Sequence, residues 1–271
     1  MLSVSIVIYG PLNRDLAVTL HSLDGTLSQF ERNGVPSKVY LINNNAEPLR
    51  LGELARHGFE SFGAGVELEL IEGHGNVGYG RGHNLAIERA RSDYHLILNP
   101  DVEMSADTFP AAFAFLAVHP EVGLLAPSIR GDDGELQYLC RRFPTVIDLA
   151  LRGFAPPAWR KLFARRLARY EMKDQIGPDQ IVFDPPIVSG CFMLFRTAVL
   201  HQISGFDPRY FLYFEDYDLS LRTGQVTRIA YVPAVKIVHF GGGASRKGWQ
   251  HIKMFAASAF KFYSRFGWRL A

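Results

Sequence analysis

The sequence predicts an α/β fold, a mostly parallel central sheet covered by helices on both faces. Three observations carry that expectation. Short apolar runs alternate with stretches of helical period from residue 4 to residue 99, and strand–helix alternation of this kind builds parallel sheets. Two of those runs stop abruptly at polar residues: one at Asn43-Asn44-Asn45, the other at Asn99-Pro100-Asp101. Pro100 has no amide proton to give a ladder, so the strand ends at Asn99 and Asp101 stands just past its carboxyl end. With 48% hydrophobic and 21% charged residues in 271, the chain is long enough and apolar enough to bury a sizeable core, as one large domain or two small ones.

The elements follow in order. Residues 4–9 are a continuous β-branched run ending at Gly10-Pro11, a buried first strand. Residues 15–30 repeat Leu16, Leu20, Leu23 and Leu27, a helical period. A second strand spans 38–42, a second helix 49–62, and a third strand 66–71. In that third strand Val66, Leu68 and Leu70 alternate with Glu67 and Glu69, as on a half-exposed edge. A glycine-rich loop at 73–82 precedes a helix at 83–91 and the fourth strand at 94–99. Next come a helix at 105–119 capped by Ser105 or Asp107, a strand at 122–127 and a turn at 131–134. Pro156-Pro157 opens a helix reaching to Tyr170. A mobile loop is expected at 175–183, a strand at 187–196, a turn at 205–208 and a helix start within 211–222. One or two strands at 229–239, a loop at 241–243 and an amphipathic helix at 249–266 complete the chain.

Several functions are disfavoured at this level. A net charge of +2 gives no footprint for nucleic acid. Cys140 and Cys191 lie far apart, with neither disulfide-framework nor zinc spacing, which fits a reducing cytoplasm. The apolar amino terminus lacks a basic region and a cleavage site, so it reads as a strand and not a signal peptide. No run approaches the roughly 18 apolar residues that span a bilayer.

Four groups could carry chemistry. In open α/β sheets ligands bind at the carboxyl edge, so Asp101, with the Asn99 amide two residues earlier, suits a hard divalent cation that shares its shell with a diphosphate. A plain strand-ending turn fits the same residues. The glycine run aligns as Gly73-x-Gly75-x-x-Gly78, but a dinucleotide fingerprint should follow the first strand, and this one follows the third. Close approach of backbone to a ligand is the better reading, with Asn76, Arg81 and Asn84 as polar contacts; a flexible surface loop is the bland one. Glu215, Asp216 and Asp218 put three carboxylates in four residues. They read either as a capping cluster paired with Arg222 or as the seat of a general base that deprotonates a hydroxyl. His239 closes an apolar run before three glycines, either as a satisfied strand-end histidine or as a metal or phosphate ligand.

Taken together, the first strand, Ile42-Asn43-Asn44-Asn45-Ala46, the run from Gly75 to Asn84, Leu98-Asn99-Pro100-Asp101-Val102, the segment from Ser189 to Arg196, Gly205-Phe206-Asp207, Phe214-Glu215-Asp216-Tyr217-Asp218-Leu219 and His239 resemble glycosyltransferase family 2. The likeness is strongest to its rhamnosyltransferase branch, which acts in cell-surface polysaccharide assembly, and covers roughly residues 4–245. It implies a GT-A fold in one domain: a nucleotide-sugar-binding half (1–104), an acceptor-binding half (105–245) and the carboxyl-terminal helix (246–271). It implies inversion at the anomeric carbon, with Asp216 as base and Glu215 its acceptor-side neighbour. Asp101 matches the last Asp of the Asp-X-Asp metal motif, whose first Asp is replaced by Asn99, and His239 matches a metal or diphosphate contact; the cation is Mg²⁺ or Mn²⁺. Tyr9, Asn43, Asn44, Gly78, Gly80, Arg81, Asn84 and Asn99 fall on the nucleotide-sugar side, and Ser189, Gly190 and Cys191 on the acceptor side. Asn43 departs from the usual Asp and leaves the base open. The implied donor is dTDP-rhamnose, or a UDP-sugar. The implied acceptor is a saccharide, lipid-linked, met by a cytoplasmic protein at the inner membrane face.

The basic, aromatic stretch 141–170 and the helix near the carboxyl terminus resemble interfacial amphipathic helices, though a helix face packed on its own domain fits too. Two competing readings remain: a nucleotide-sugar-binding homologue that has lost turnover, favoured by Asn43 and Asn99, and a nicotinamide dehydrogenase resting on the glycine alignment alone.

Overall fold

The computed structural model describes residues 1–32, 34–241 and 248–271. Its strands are β1 (Leu2–Ile8), β2 (Ser37–Asn43), β3 (Val66–Ile71), β4 (Tyr94–Leu98), β5 (Val102–Met104), β6 (Val122–Arg130), β7 (Val182–Phe183), β8 (Phe192–Arg196) and β9 (Arg228–His239). The helices are α1 (Arg14–Arg32), α2 (Tyr79–Ile87), α3 (Thr108–Val118), α4 (Val146–Phe154), α5 (Pro157–Leu162), α6 (Ala164–Tyr170), α7 (Thr197–Gln202), α8 (Glu215–Thr223) and α9 (Trp249–Phe266). The strands form one sheet in the order β3-β2-β1-β4-β8-β6-β9-β5, with β7 also on β9.

The half from β3 to β4 is parallel throughout, as the strand–helix alternation requires. β8 then runs antiparallel to both β4 and β6, so the second half is mixed. All four parallel strands finish on the same side, which puts Tyr9, Asn43, Asn44 and Asn99 along one edge. β3 is the outer strand, and its Glu67 and Glu69 hold Lys38 of β2 at 2.6 and 2.9 Å.

Leu16, Leu20, Leu23 and Leu27 of α1 bury one stripe against this sheet, each worth about 1.5–3 kcal/mol relative to exposure. Its polar residues have a second task. Thr19 Oγ1 and Ser22 Oγ accept from the amides of Val102 and Met104 at 2.9 and 3.2 Å. The three-residue β5, too short to read from sequence, is thereby held on the edge that β9 leaves open. On the other face Ser3 and Ser5 hydrogen-bond His95, and Ser5 also bonds His83. Burial lowers both imidazoles, His95 to about 3, so they sit neutral in the core.

Several boundaries differ from expectation. Residues 49–62 make only a 3-10 turn at Leu51–His57 with one buried residue, Leu54, closed by Gly58 at φ 90°. Too few apolar residues face the core there for a full helix. α2 begins four residues early, inside the glycine run, because Gly80 and Gly82 pack within it. The strand expected at 187–196 starts at Phe192. The helix opened by Pro157 breaks at Phe163 into α5 and α6, and the loop expected at 175–183 ends in β7. Asp107 occupies the cap position of α3, but its side chain makes no capping bond. α4 was not anticipated, although Thr145 and Asp148 form a reciprocal capping box before it. Apart from Gly241, the loop at 241–243 lies outside the described residues.

Candidate active site

Two carboxylates reach the carboxyl edge of the sheet by different routes. Asp101 stands in the short link between β4 and β5. Val102 pairs with His239 across β5 and β9, and the Phe240 amide donates to the Asp101 carbonyl at 2.9 Å. The pairing brings His239 Nε2 to 3.4 Å from Asp101 Oδ1. Gln137 Oε1 lies 3.2 Å from His239 Nδ1, and Gln137 Nε2 donates to the His239 carbonyl at 3.3 Å, which fixes the ring with Nε2 toward Asp101. Gln137 is thus a positioning residue that the sequence did not reveal.

Asp216 arrives from α8. Its Oδ2 accepts from the Gly190 amide at 3.2 Å and its Oδ1 from the Tyr217 amide at 3.0 Å. The helix is introduced by Tyr213 and Phe214, both left-handed at φ 71° and 65°. Neither is glycine, so each costs about 1–3 kcal/mol and persists only because its surroundings hold it. Phe214 is buried among Phe255, Tyr217 and Phe262. That packing turns the chain so that Glu215 and Asp216 open the helix.

Tyr79 joins the two groups. Its hydroxyl reaches Gly190 O at 2.7 Å and Asn99 Oδ1 at 2.9 Å. Gly190 in turn lies against Asp216, and the Asn99 amide donates to Cys191 O at 2.9 Å. Burial pushes the Tyr79 phenol well up, and the nearby acidic groups of Glu215, Cys191, Asp216 and Asp101 add to it. Asp101 and Asp216 also both act on the Cys191 thiol, which burial pushes up to about 12. Both carboxylates therefore border one region, with Ser189, Gly190 and Cys191 between them.

Burial raises the carboxyls of Glu215 and Asp216, and the charge of Asp216 raises Glu215 further, to about 8. The amides of Gly190 and Tyr217 oppose this for Asp216, as does the Arg141 guanidinium. Glu215 Oε2 is buried without a partner. Burial thus disfavours the charged form of Glu215, whose Oε2 has no partner, more than that of Asp216, which two amides hold. Arg141, buried over the Tyr170 ring, is a further member that the sequence did not single out from its basic neighbours.

Among the described residues, Asn44 Oδ1, Asp101 Oδ1, Arg141 Nη1 and Glu215 Oε2 are buried without a hydrogen-bond partner, though Arg141 Nη1 lies 3.8 Å from Glu171. Such orphans are rare unless something else satisfies them. The Asp101–His239 pair fits a divalent cation. Two cis ligands at about 2.1 Å from an ion lie about 3 Å apart, close to the separation seen. Among the described residues no third His, Cys, Asp or Glu completes such a site, so the remaining positions fall to ligand oxygens and water.

The other expected residues divide. Tyr9 projects from the end of β1, 71% exposed. Asn44 donates to Gly78 O at 3.0 Å, while Asn43 turns into its own loop, donating to Glu47 O at 2.8 Å. A Cβ on Gly78 would meet Phe211 O at 2.4 Å, and one on Gly80 would meet the Phe206 side chain at 2.9 Å. The requirement for glycine at these positions thus comes from protein packing. Asn84 spends its amide on the Phe206 backbone in both directions, at 2.8 Å each. Arg81 donates to Pro208 O at 2.6 Å. Arg81 and Asn84 therefore pin the 205–208 turn to α2. A cavity of about 520 Å³ opens between α2 and α7 and includes none of the carboxylates above.

The sheet order, with carboxylates and amides along its carboxyl edge, is that of a GT-A fold. *Staphylococcus aureus* TarS (residues 1–349) superposes with a TM-score of 0.55 at 15% identity, covering 97% of this chain and 72% of TarS. GalNAc-T7, solved with UDP, GalNAc and Mn²⁺, gives 0.63 at 13% identity, covering 96% of this chain and 47% of that one. The sequence is more specific than the fold. The family model for glycosyl transferase family 2 matches residues 13–204, more than half of the chain, and the chain belongs to that family. Among curated relatives, the N-acetylglucosaminyl-diphospho-decaprenol L-rhamnosyltransferase of *Mycobacterium tuberculosis* strain H37Rv is 28% identical over 189 residues. That match covers 64% of this chain and 58% of the relative, so the chain spans well under two thirds of its length. Rhamnosyltransferase WbbL of *Escherichia coli* K12 is 27% identical over 209 residues, covering 74% of this chain and 72% of WbbL.

Proposed function

We propose that the protein is an inverting glycosyltransferase that moves L-rhamnose from dTDP-rhamnose to a saccharide acceptor carried on a lipid diphosphate, in cell-surface polysaccharide assembly. The observation that carries this reading is the Tyr79 bridge, which ties the Asp101 end of β4 to the Gly190–Asp216 contact. One carboxylate can then face a diphosphate while the other faces the far side of its sugar. The rhamnosyltransferase relatives support the choice of sugar; a UDP-sugar is the alternative donor.

The acceptor hydroxyl attacks the anomeric carbon as the bond to the diphosphate oxygen breaks, and the electron pair leaves with the nucleotide. Asp216, ionised and held by two amides, takes the hydroxyl proton. Glu215 stays protonated and can donate a hydrogen bond to the acceptor. Asp101 and His239 would hold Mg²⁺ or Mn²⁺, which would offset charge on the departing diphosphate.

A thermal-shift screen with dTDP, UDP and GDP, with and without Mn²⁺, tests the donor side. Stabilisation by dTDP that grows with Mn²⁺ is expected; at 100 times the dissociation constant it reaches about 2.7 kcal/mol. Absence of a shift with every nucleotide would end the proposal. A shift without sugar transfer would point to the inactive homologue.

A further inference from the structure

We infer that the outer face of α9, with the carboxyl-terminal tail and α5, is a docking surface for an anionic lipid bilayer. α9 carries two apolar stripes. Phe262 and Tyr263 are buried against Leu149, Tyr170, Tyr210 and Phe214, which accounts for one. Beside it, Trp249, Ile252, Ala256 and Phe260, spaced three or four residues apart, form a second stripe on the flank of the buried face. All four are exposed, Trp249 at 67% and Phe260 at 63%. An apolar stripe left exposed beside the packed face of a surface helix, carrying two large aromatics, marks an interaction surface.

The stripe continues past the helix. Trp268 contacts Phe260 with ring centroids 5.8 Å apart. The tail then crosses to α4, where the carbonyls of Arg269 and Leu270 accept from the amides of Val146 and Ile147. Leu270 and Ile147 are exposed as well. α5, which packs on α4 and buries none of its residues, adds Trp159 and Leu162.

Charge identifies the occupant. Residues 248–271 contain no acidic residue; Arg265 is spent on Asp207 and Asp218, which leaves Lys253, Lys261 and Arg269. Residues 146–170 contain one acid, Asp148, already engaged by Arg166 at 2.6 Å. Arg152 lies 3.5 Å from Glu171, while Arg160, Lys161, Arg165 and Arg169 are exposed. Exposed tryptophans amid cations with almost no acids match a headgroup region bearing negative charge. A second copy of the chain would bring the same cations against themselves.

The surface backs directly onto the acceptor side of the cleft. Phe214, one residue before Glu215, packs on Phe255 and Phe262 of α9 with ring centroids 5.1 and 5.2 Å apart. Docking would hold α8 near the plane where a lipid-linked acceptor presents its sugar. That last step rests on the proposed function. The surface itself does not, and its test contains no sugar, so the two can fail separately.

The test is cosedimentation of the full chain with vesicles of phosphatidylglycerol and phosphatidylcholine, and with phosphatidylcholine alone, at low and at high salt. Binding to the anionic vesicles is expected, weakening as salt screens the attraction. The Trp249→Ser/Phe260→Ser double variant should lower binding at least about tenfold with an unchanged melting curve. Should that variant fold poorly, Arg160→Glu/Lys161→Glu on α5 decides, with the same loss expected. No binding at low salt, or binding that both variants leave intact, would overturn the inference. So would a lipid-free dimer abolished by Trp249→Ser/Phe260→Ser.

Discussion

Replacing Asp216 by Asn is expected to cut sugar transfer by about 10²–10⁴, the usual contribution of a general base. Nucleotide binding and the melting temperature should stay near those of the unaltered protein. The side chain keeps its shape, and Asn Oδ1 can still accept from Gly190 or Tyr217. What disappears is the negative charge that receives the acceptor proton. The pH profile separates loss of the base from distortion. In the unaltered protein the rate should fall on the acid side as Asp216 takes up a proton; in Asp216→Asn that limb should be missing. Glu215→Gln, which mimics the protonated acid, should keep most of the rate at neutral pH. Near-normal turnover by folded Asp216→Asn would remove the base assignment.

Asp218, two residues on, should respond in the opposite sense. Its carboxylate is fully buried, 2.5 Å from Arg222 Nε and 2.9 Å from Arg265 Nη1. Arg222 also donates to the carbonyls of Ile203 and Gly205, at 2.6 and 2.8 Å, so the network ties α8 to the turn that α2 grips from its other side. Asp218→Ala would strand the Arg222 cation in a site with little water. Breaking one side of such a pair costs about 3–5 kcal/mol, measurable by chemical denaturation. Turnover per folded molecule should change far less than in Asp216→Asn. A stability loss under about 1 kcal/mol would show that the pair is relaxed by solvent.

These two carboxylates show how far the sequence could be read. Three acids in four residues fit both a structural and a chemical role. Helix geometry divides them: Asp218 turns into the core toward Arg222, while Asp216 accepts from the Gly190 amide. The parallel half of the sheet was legible because three of its strands are apolar runs and the fourth alternates apolar and acidic residues as an edge strand does. Placement of Asp101 past β4 followed from Pro100 alone. The pairing that brings His239 to Asp101 was not legible, because it depends on the three-residue β5, too short to show a period. The glycine run misled in part. Gly78 and Gly80 are required by Phe211 and Phe206, partners more than a hundred residues away, and sequence cannot tell such packing from approach to a ligand. Tyr79, Gln137 and Arg141 gave no local signal, since their roles lie in long-range contacts.

The most direct test of the account is a crystal structure with dTDP and Mn²⁺, the metal located by its anomalous scattering. The account predicts one strong peak between Asp101 and His239, with the diphosphate beside it and the outer phosphate directed toward Asp216. Nucleotide and metal bound elsewhere, for instance in the cavity between α2 and α7 beside His201, would contradict it.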